Sequence, residues 1–166
     1  MKTLDYFLTV AYVVVNVFSL VQVIGSYRWP TLTRVVFFLI FVVAAYVNTK
    51  TVLATPWVYE SYADYAIPVY SRFVLGPFGS IIQPMVLTIA AGQGFIAVAM
   101  FMKRRWFRAG CLGGIVFCLA ITPMSAGAAF PATLLMALAF YRLYRHEDRE
   151  TVGEVLDHNR ILLPLD

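Results

Sequence analysis

Five apolar runs, each near the length that crosses a bilayer as a helix, constrain this chain more than any other feature. A hydrocarbon core about 30 Å thick is crossed by roughly 20 residues rising about 1.5 Å each. The runs lie at residues 5–24, 34–54, 81–102, 106–122 and 128–144. They predict an all-α polytopic membrane helix bundle of five transmembrane helices, forming a single membrane domain over residues 1–166. With 61% of 166 residues hydrophobic and 13% charged, the chain is too apolar for an ordinary soluble domain. Its length leaves no room for a separate soluble unit beside the bundle.

Breakers and interfacial residues set the boundaries. The first run ends at Gly25, with Tyr27, Trp29 and Pro30 marking an interfacial turn. It lacks a basic lead and a small-residue cleavage site, so it is expected to be retained as a helix. The second begins near Thr33 or Arg34 and is stopped by Pro56 and Trp57. From Trp106 to Tyr144 the chain stays apolar for about 39 residues, which as one helix would reach about 58 Å. Pro123, Ser125, Gly127 and Pro131 therefore divide it into two short spans. Residues 55–80 interleave Trp57, Tyr59, Tyr62, Tyr65, Tyr70, Phe73 and Phe78 with Glu60, Asp64 and Arg72. Such a segment suits the membrane interface, with a short helix before Pro68 and an irregular stretch through Gly76, Pro77 and Gly79. The tail, 145–166, is polar and turns apolar again at residues 161–165.

Charge then orients the bundle. Five spans place the 26–34 connection, the 102–108 loop and the C-terminus on one side. That side holds Arg28, Arg34, Lys103, Arg104, Arg105, Arg108, Arg142, Arg145, Arg149 and Arg160, ten of the thirteen Lys and Arg residues. Lys2, Lys50 and Arg72 remain for the other. The positive-inside rule then makes the C-terminus cytoplasmic and puts the N-terminus and the aromatic loop outside. The net charge of +4 follows from this clustering beside apolar runs, and no nucleic-acid partner is expected. Lys103, Arg104, Arg105 and Arg108 are primarily topological, with anionic lipid or an acidic partner surface as a second use.

Few side chains suggest chemistry, and no catalytic residues, metal site, nucleotide loop or nucleophile triad are expected. Lys50 is the one ionisable residue well inside a span. Snorkelling to the interface, pairing with Glu60 or Asp64, and contact with a ligand are its three readings. Uncharged polar residues inside spans are Asn16, Gln22, Asn48 and Gln93. Gln93, between Gly92 and Gly94 at mid-membrane, suits adhesion to another helix; together with Asn48 it also suits a quinone carbonyl or a lipid head group. Gly110 and Gly114 form a G-x-x-x-G that favours tight packing with the last span. Cys111 and Cys118 read as buried inert thiols rather than a redox or metal pair. His146 and His158 stand in the tail, where solvation is favoured over a weak metal site, and no span carries a histidine for haem.

The order of features from Arg34 through Tyr144 resembles the DoxX-like family of small integral membrane proteins. The matching stretches are the span ending Val47-Asn48-Thr49-Lys50, the aromatic segment with Tyr59, Glu60, Pro68 and Tyr70, and the third span with its basic turn. The hairpin from Leu119-Ala120-Ile121-Thr122-Pro123 to Phe130-Pro131 completes the match. The resemblance implies a four-helix core, here with an additional N-terminal span, and kinship with subunits of quinol oxidase and thiosulfate:quinone oxidoreductase systems. Gln93 stands where relatives often carry glutamate, which removes the most plausible buried proton-handling group.

The resulting expectation is a non-catalytic accessory subunit of a larger membrane complex, in the cytoplasmic (inner) membrane of a bacterium or archaeon. Its partners would be other integral membrane subunits and lipids, and the assembly an energy-converting one, respiratory or photosynthetic. No intrinsic cofactor is expected. The alternative is a quinone- or lipid-binding redox partner; a small transporter comes third, because it needs a polar path that the spans do not offer.

Overall fold

A computed structural model describes residues 2–123, 130–145 and Val152, with residues 2–8 described in their backbone only. The fold is all-helical, with no strand among the described residues. Its helices are α1 (Lys2–Arg28), α2 (Pro30–Ala54), α3 (Pro68–Phe73), α4 (Ile82–Phe101), α5 (Arg104–Ile121) and α6 (Ala132–Arg145). Three helical runs are long and apolar enough to cross a membrane: Thr9–Arg28, Pro30–Ala54 and Pro68–Phe101. Of the other two, α5 has 18 residues and carries Arg104, Arg105 and Arg108, and α6 is described over 14; at 1.5 Å per residue these reach about 27 and about 21 Å.

The turn expected at residues 25–33 shrinks to one residue. Trp29 (φ −138°, ψ 64°) breaks the helix between Arg28 and Pro30, and Pro30 starts α2, where a missing N–H costs nothing. α2 thus begins three to four residues earlier than expected, which carries Arg34 inside the bundle. A second correction concerns residues 55–81. The short helix expected before Pro68 is the 3-10 helix Pro56–Asp64; a further short helix follows at Pro68, and the stretch expected to be irregular is helical. Pro56–Asp64 and Gly79–Ile81 form 3-10 turns, while Val74–Phe78 widens into a π turn containing Pro77. Proline lacks the N–H for an i→i−4 bond and its ring crowds that carbonyl, so the helix opens there and continues.

The core belongs to four helices. Phe37 and Phe41 of α2, Ile96, Ala97 and Met100 of α4, Phe107, Cys111 and Cys118 of α5, and Ala137, Ala139, Phe140 and Leu143 of α6 form one buried cluster. Phe37 stacks on Phe140 with centroids 4.0 Å apart, and Phe41 meets Phe140 and Phe117 edge-on at 5.6 and 5.5 Å. α1 lies outside this cluster, mainly along α6 and only lightly against α2. Its inner face is polar: Ser19, Gln22 and Ser26 are buried, and the two serine hydroxyls donate to carbonyls of their own helix at 2.8 and 2.6 Å. A smaller cluster, Val52, Tyr59, Ala63, Val74, Phe78, Ile82 and Val86, seats the aromatic segment on the ends of α2 and α4. Trp57, Tyr62 and Tyr65 turn outward from it. Ile67 N–H donates to the Pro123 carbonyl at 3.1 Å, tying the same cap to the end of α5.

Candidate functional site

Asn48 and Gln93, nominated from separate spans, meet between α2 and α4. The Asn48 amide donates from Nδ2 to Gln93 Oε1 at 2.8 Å. Tyr59, which sequence reasoning placed only among interfacial rings, completes the chain by donating its hydroxyl to Asn48 Oδ1 at 2.9 Å, with the Asn48 backbone carbonyl 3.2 Å away. Burial raises the Tyr59 phenol above its ordinary pKa of 10.0, so it remains a donor through the neutral range. Direction follows from that donor. The phenol occupies the Asn48 carbonyl, the Asn48 N–H groups occupy the Gln93 carbonyl, and the Gln93 NH2 is left at the inner end. Gln93 is only 2% exposed, and among the described residues nothing accepts from its Nε2.

The four nominated glycines divide into two pairs. A Cβ on Gly110 would collide with the Ala99 Cβ and come within 3.1 Å of Met100 Cε, so this residue sets the approach of α5 to α4. A Cβ on Gly114 would fall 2.7 Å from the Phe140 ring, setting the approach of α6. Gly92 and Gly94 differ: nothing among the described residues lies within 4 Å of a Cβ at either position. No neighbour among the described residues makes a close approach at these two positions. Positions two apart on a helix point about 200° from one another, so they cannot flank one contact. Gly92 lies on an exposed stripe of α4 with Thr88, Ala91, Phe95 and Val98, while Gly94 is at its half-buried margin.

The four nominated basic residues, Lys103, Arg104, Arg105 and Arg108, are all exposed at one end of the bundle. Contacts between elements gather other cations there. Arg142 lies 4.6 Å from the Tyr27 ring centroid, joining α6 to α1, and Arg108 lies 5.3 Å from that of Tyr144, joining α5 to α6. Arg34, counted from sequence only as a topological charge, is instead fully buried. Its Nε donates to the Met100 carbonyl at 2.8 Å and its Nη2 to the Met102 carbonyl at 2.5 Å, while its guanidinium covers the Phe107 ring at 4.2 Å. It caps the C-terminus of α4 from a neighbouring helix, where unpaired carbonyls and the helix dipole favour a cation. Pro30 was the available signal: proline at a helix start put Arg34 more than one turn inside.

Lys50 is exposed, with its ammonium 5.6 Å from the Tyr46 ring centroid one turn away, and it forms no ion pair with Glu60 or Asp64. Cys111 and Cys118 are free and buried. Asn16 donates to the Tyr12 carbonyl at 3.0 Å, leaving its Oδ1 buried without a partner among the described residues. His146, His158, Arg149, Arg160 and the apolar stretch 161–165 lie outside the described residues. No family model, curated protein or solved structure matches this chain.

Proposed function

We propose that the protein is a non-catalytic accessory subunit of a larger membrane protein complex, docked through the outer face of α4. One observation carries this reading: Gly92, at the middle of α4, is exposed, and a Cβ added there would meet no other element within 4 Å among the described residues, with Thr88 one turn away and Ala91 beside it. Small residues four apart let a second helix approach closely in lipid, where packing rather than hydrophobicity drives association. In this reading α1, α2, the 68–101 run, α5 and α6 are five spans, and the concentration of cations at one bundle end supports a cytoplasmic C-terminus. A bacterial or archaeal inner membrane and an energy-converting assembly are the setting that the DoxX-like resemblance implies. The test is Gly92→Leu. It should leave the isolated chain at least as stable as the parent, since an added Cβ meets nothing within 4 Å among the described residues and leucine is the better helix former, while removing the chain from its assembly.

A second reading rests on the Gln93 NH2. Its missing acceptor fits the carbonyl of a lipid-soluble ligand, a quinone or a lipid ester, entering between α2 and α4. Solvent extraction of the purified protein should then recover such a compound, and Gln93→Leu should abolish the recovery. Equal recovery from both would end this reading.

A further inference from the structure

One end of the bundle gathers the exposed cations. Arg34 caps α4, and Arg142 and Arg108 lie over tyrosine rings that join helices. Lys103, Arg104 and Arg105 follow one another, all exposed, at the turn between α4 and α5. The opposite end carries Lys50 and Arg72 against Glu60 and Asp64, a balance of two against two among the described side chains, so the field is one-sided.

Two further observations indicate what the turn faces. Trp106, immediately after the cations, is 61% exposed and meets Phe95 edge-on at 6.4 Å; Tyr27 and Tyr141 are exposed at the same end. Exposed amphipathic rings sit at the level of the lipid head groups, so the three cations lie at the depth of lipid phosphates rather than out in solvent. The backbone also bends to present them. Arg104 has φ 54°, the one positive φ among the described non-glycine residues. A Cβ is disfavoured in that region and glycine would relax it, so the position carries an arginine against its backbone preference.

We propose that the 102–105 turn, with Trp106, is a head-group site for an anionic phospholipid, whose phosphodiester is held by Lys103, Arg104 and Arg105. This rests on charge and ring depth, and stands whether or not α4 docks a partner.

The test uses the full chain in bilayer discs of phosphatidylcholine containing a minor fraction of phosphatidylglycerol, with retained lipid identified by native mass spectrometry. The parent should retain phosphatidylglycerol in preference to phosphatidylcholine. Lys103→Gln/Arg104→Gln/Arg105→Gln should weaken retention about fivefold per charge removed, while Lys50→Gln/Arg72→Gln at the other end should not. Arg104→Lys should retain the lipid; Arg104→Gly should raise the thermal midpoint in neutral lipid yet retain less phosphatidylglycerol. If the triple variant loses its helical circular dichroism, Arg105→Gln alone is read the same way. Retention unchanged in the charge variants, equal retention of phosphatidylcholine, or displacement of the lipid by inorganic phosphate or an acidic peptide would each overturn the proposal.

Discussion

Gly110→Leu is expected to destabilise the bundle by about 3 kcal/mol or more, at the upper end of what overpacking costs. Most core substitutions of this kind are softened because a flexible side chain moves aside. Here the first atom met is the Ala99 Cβ, which is fixed to the backbone of α4, with Met100 Cε next. The two helices must separate, and the cost spreads to Phe107 and Cys111 on the same face of α5. Even Gly110→Ala should fall measurably, because its one added carbon is the atom that collides. Gly92→Ala is the matched comparison: the same change on an exposed helix face should gain up to about 1 kcal/mol through helix propensity. Thermal unfolding of the purified variants in one detergent or bicelle system separates the two. Similar midpoints for Gly110→Ala and Gly92→Ala would show that α4 and α5 do not approach as described.

Arg34→Met should cost about 3 kcal/mol by a different route. A buried charge is often replaceable by an apolar residue when its partner can be replaced too. Two partners of Arg34 are backbone carbonyls, Met100 O and Met102 O, which remain whatever stands at position 34. Hydrogen bonds to a charged group contribute about 1.5–3 kcal/mol each, and a desolvated cation over a ring about 2. Against this stand the desolvation of the guanidinium and about 0.3–1 kcal/mol from placing a cation near the N-terminus of its own helix. The balance still favours arginine. Arg34→Lys should recover only part of the loss, since an ammonium cannot reproduce the planar fork. The same unfolding assay reads both, and an Arg34→Met protein as stable as the parent would contradict the capping role.

The contrast between these two residues shows what could be read from the chain alone. Helix positions were legible because about 20 apolar residues have few alternatives; the Gly110/Gly114 spacing marked close packing, but only Gly114 meets the last span, while Gly110 faces α4. Arg34 was misjudged by three to four residues of helix boundary: starting α2 at Thr33 or Arg34 leaves it at the membrane surface, and starting at Pro30 buries it. Mean composition likewise does not register that three arginines occupy the first turns of α5. Asn48 and Gln93 were nominated as polar residues in apolar surroundings, and that signal did lead to a contact. The part played by Tyr59 was not legible, because its reach depends on 3-10 turns that no periodicity marks.

The account as a whole stands on the exposed face around Gly92, and the mass of the particle released from native membranes by mild detergent tests it most directly. The parent chain should emerge with at least one other integral membrane protein in fixed stoichiometry. Gly92→Leu should emerge alone, with its helicity retained and a thermal midpoint no lower than the parent's. A parent chain that emerges alone, or a Gly92→Leu chain that stays in the same particle, would contradict the proposed role of α4.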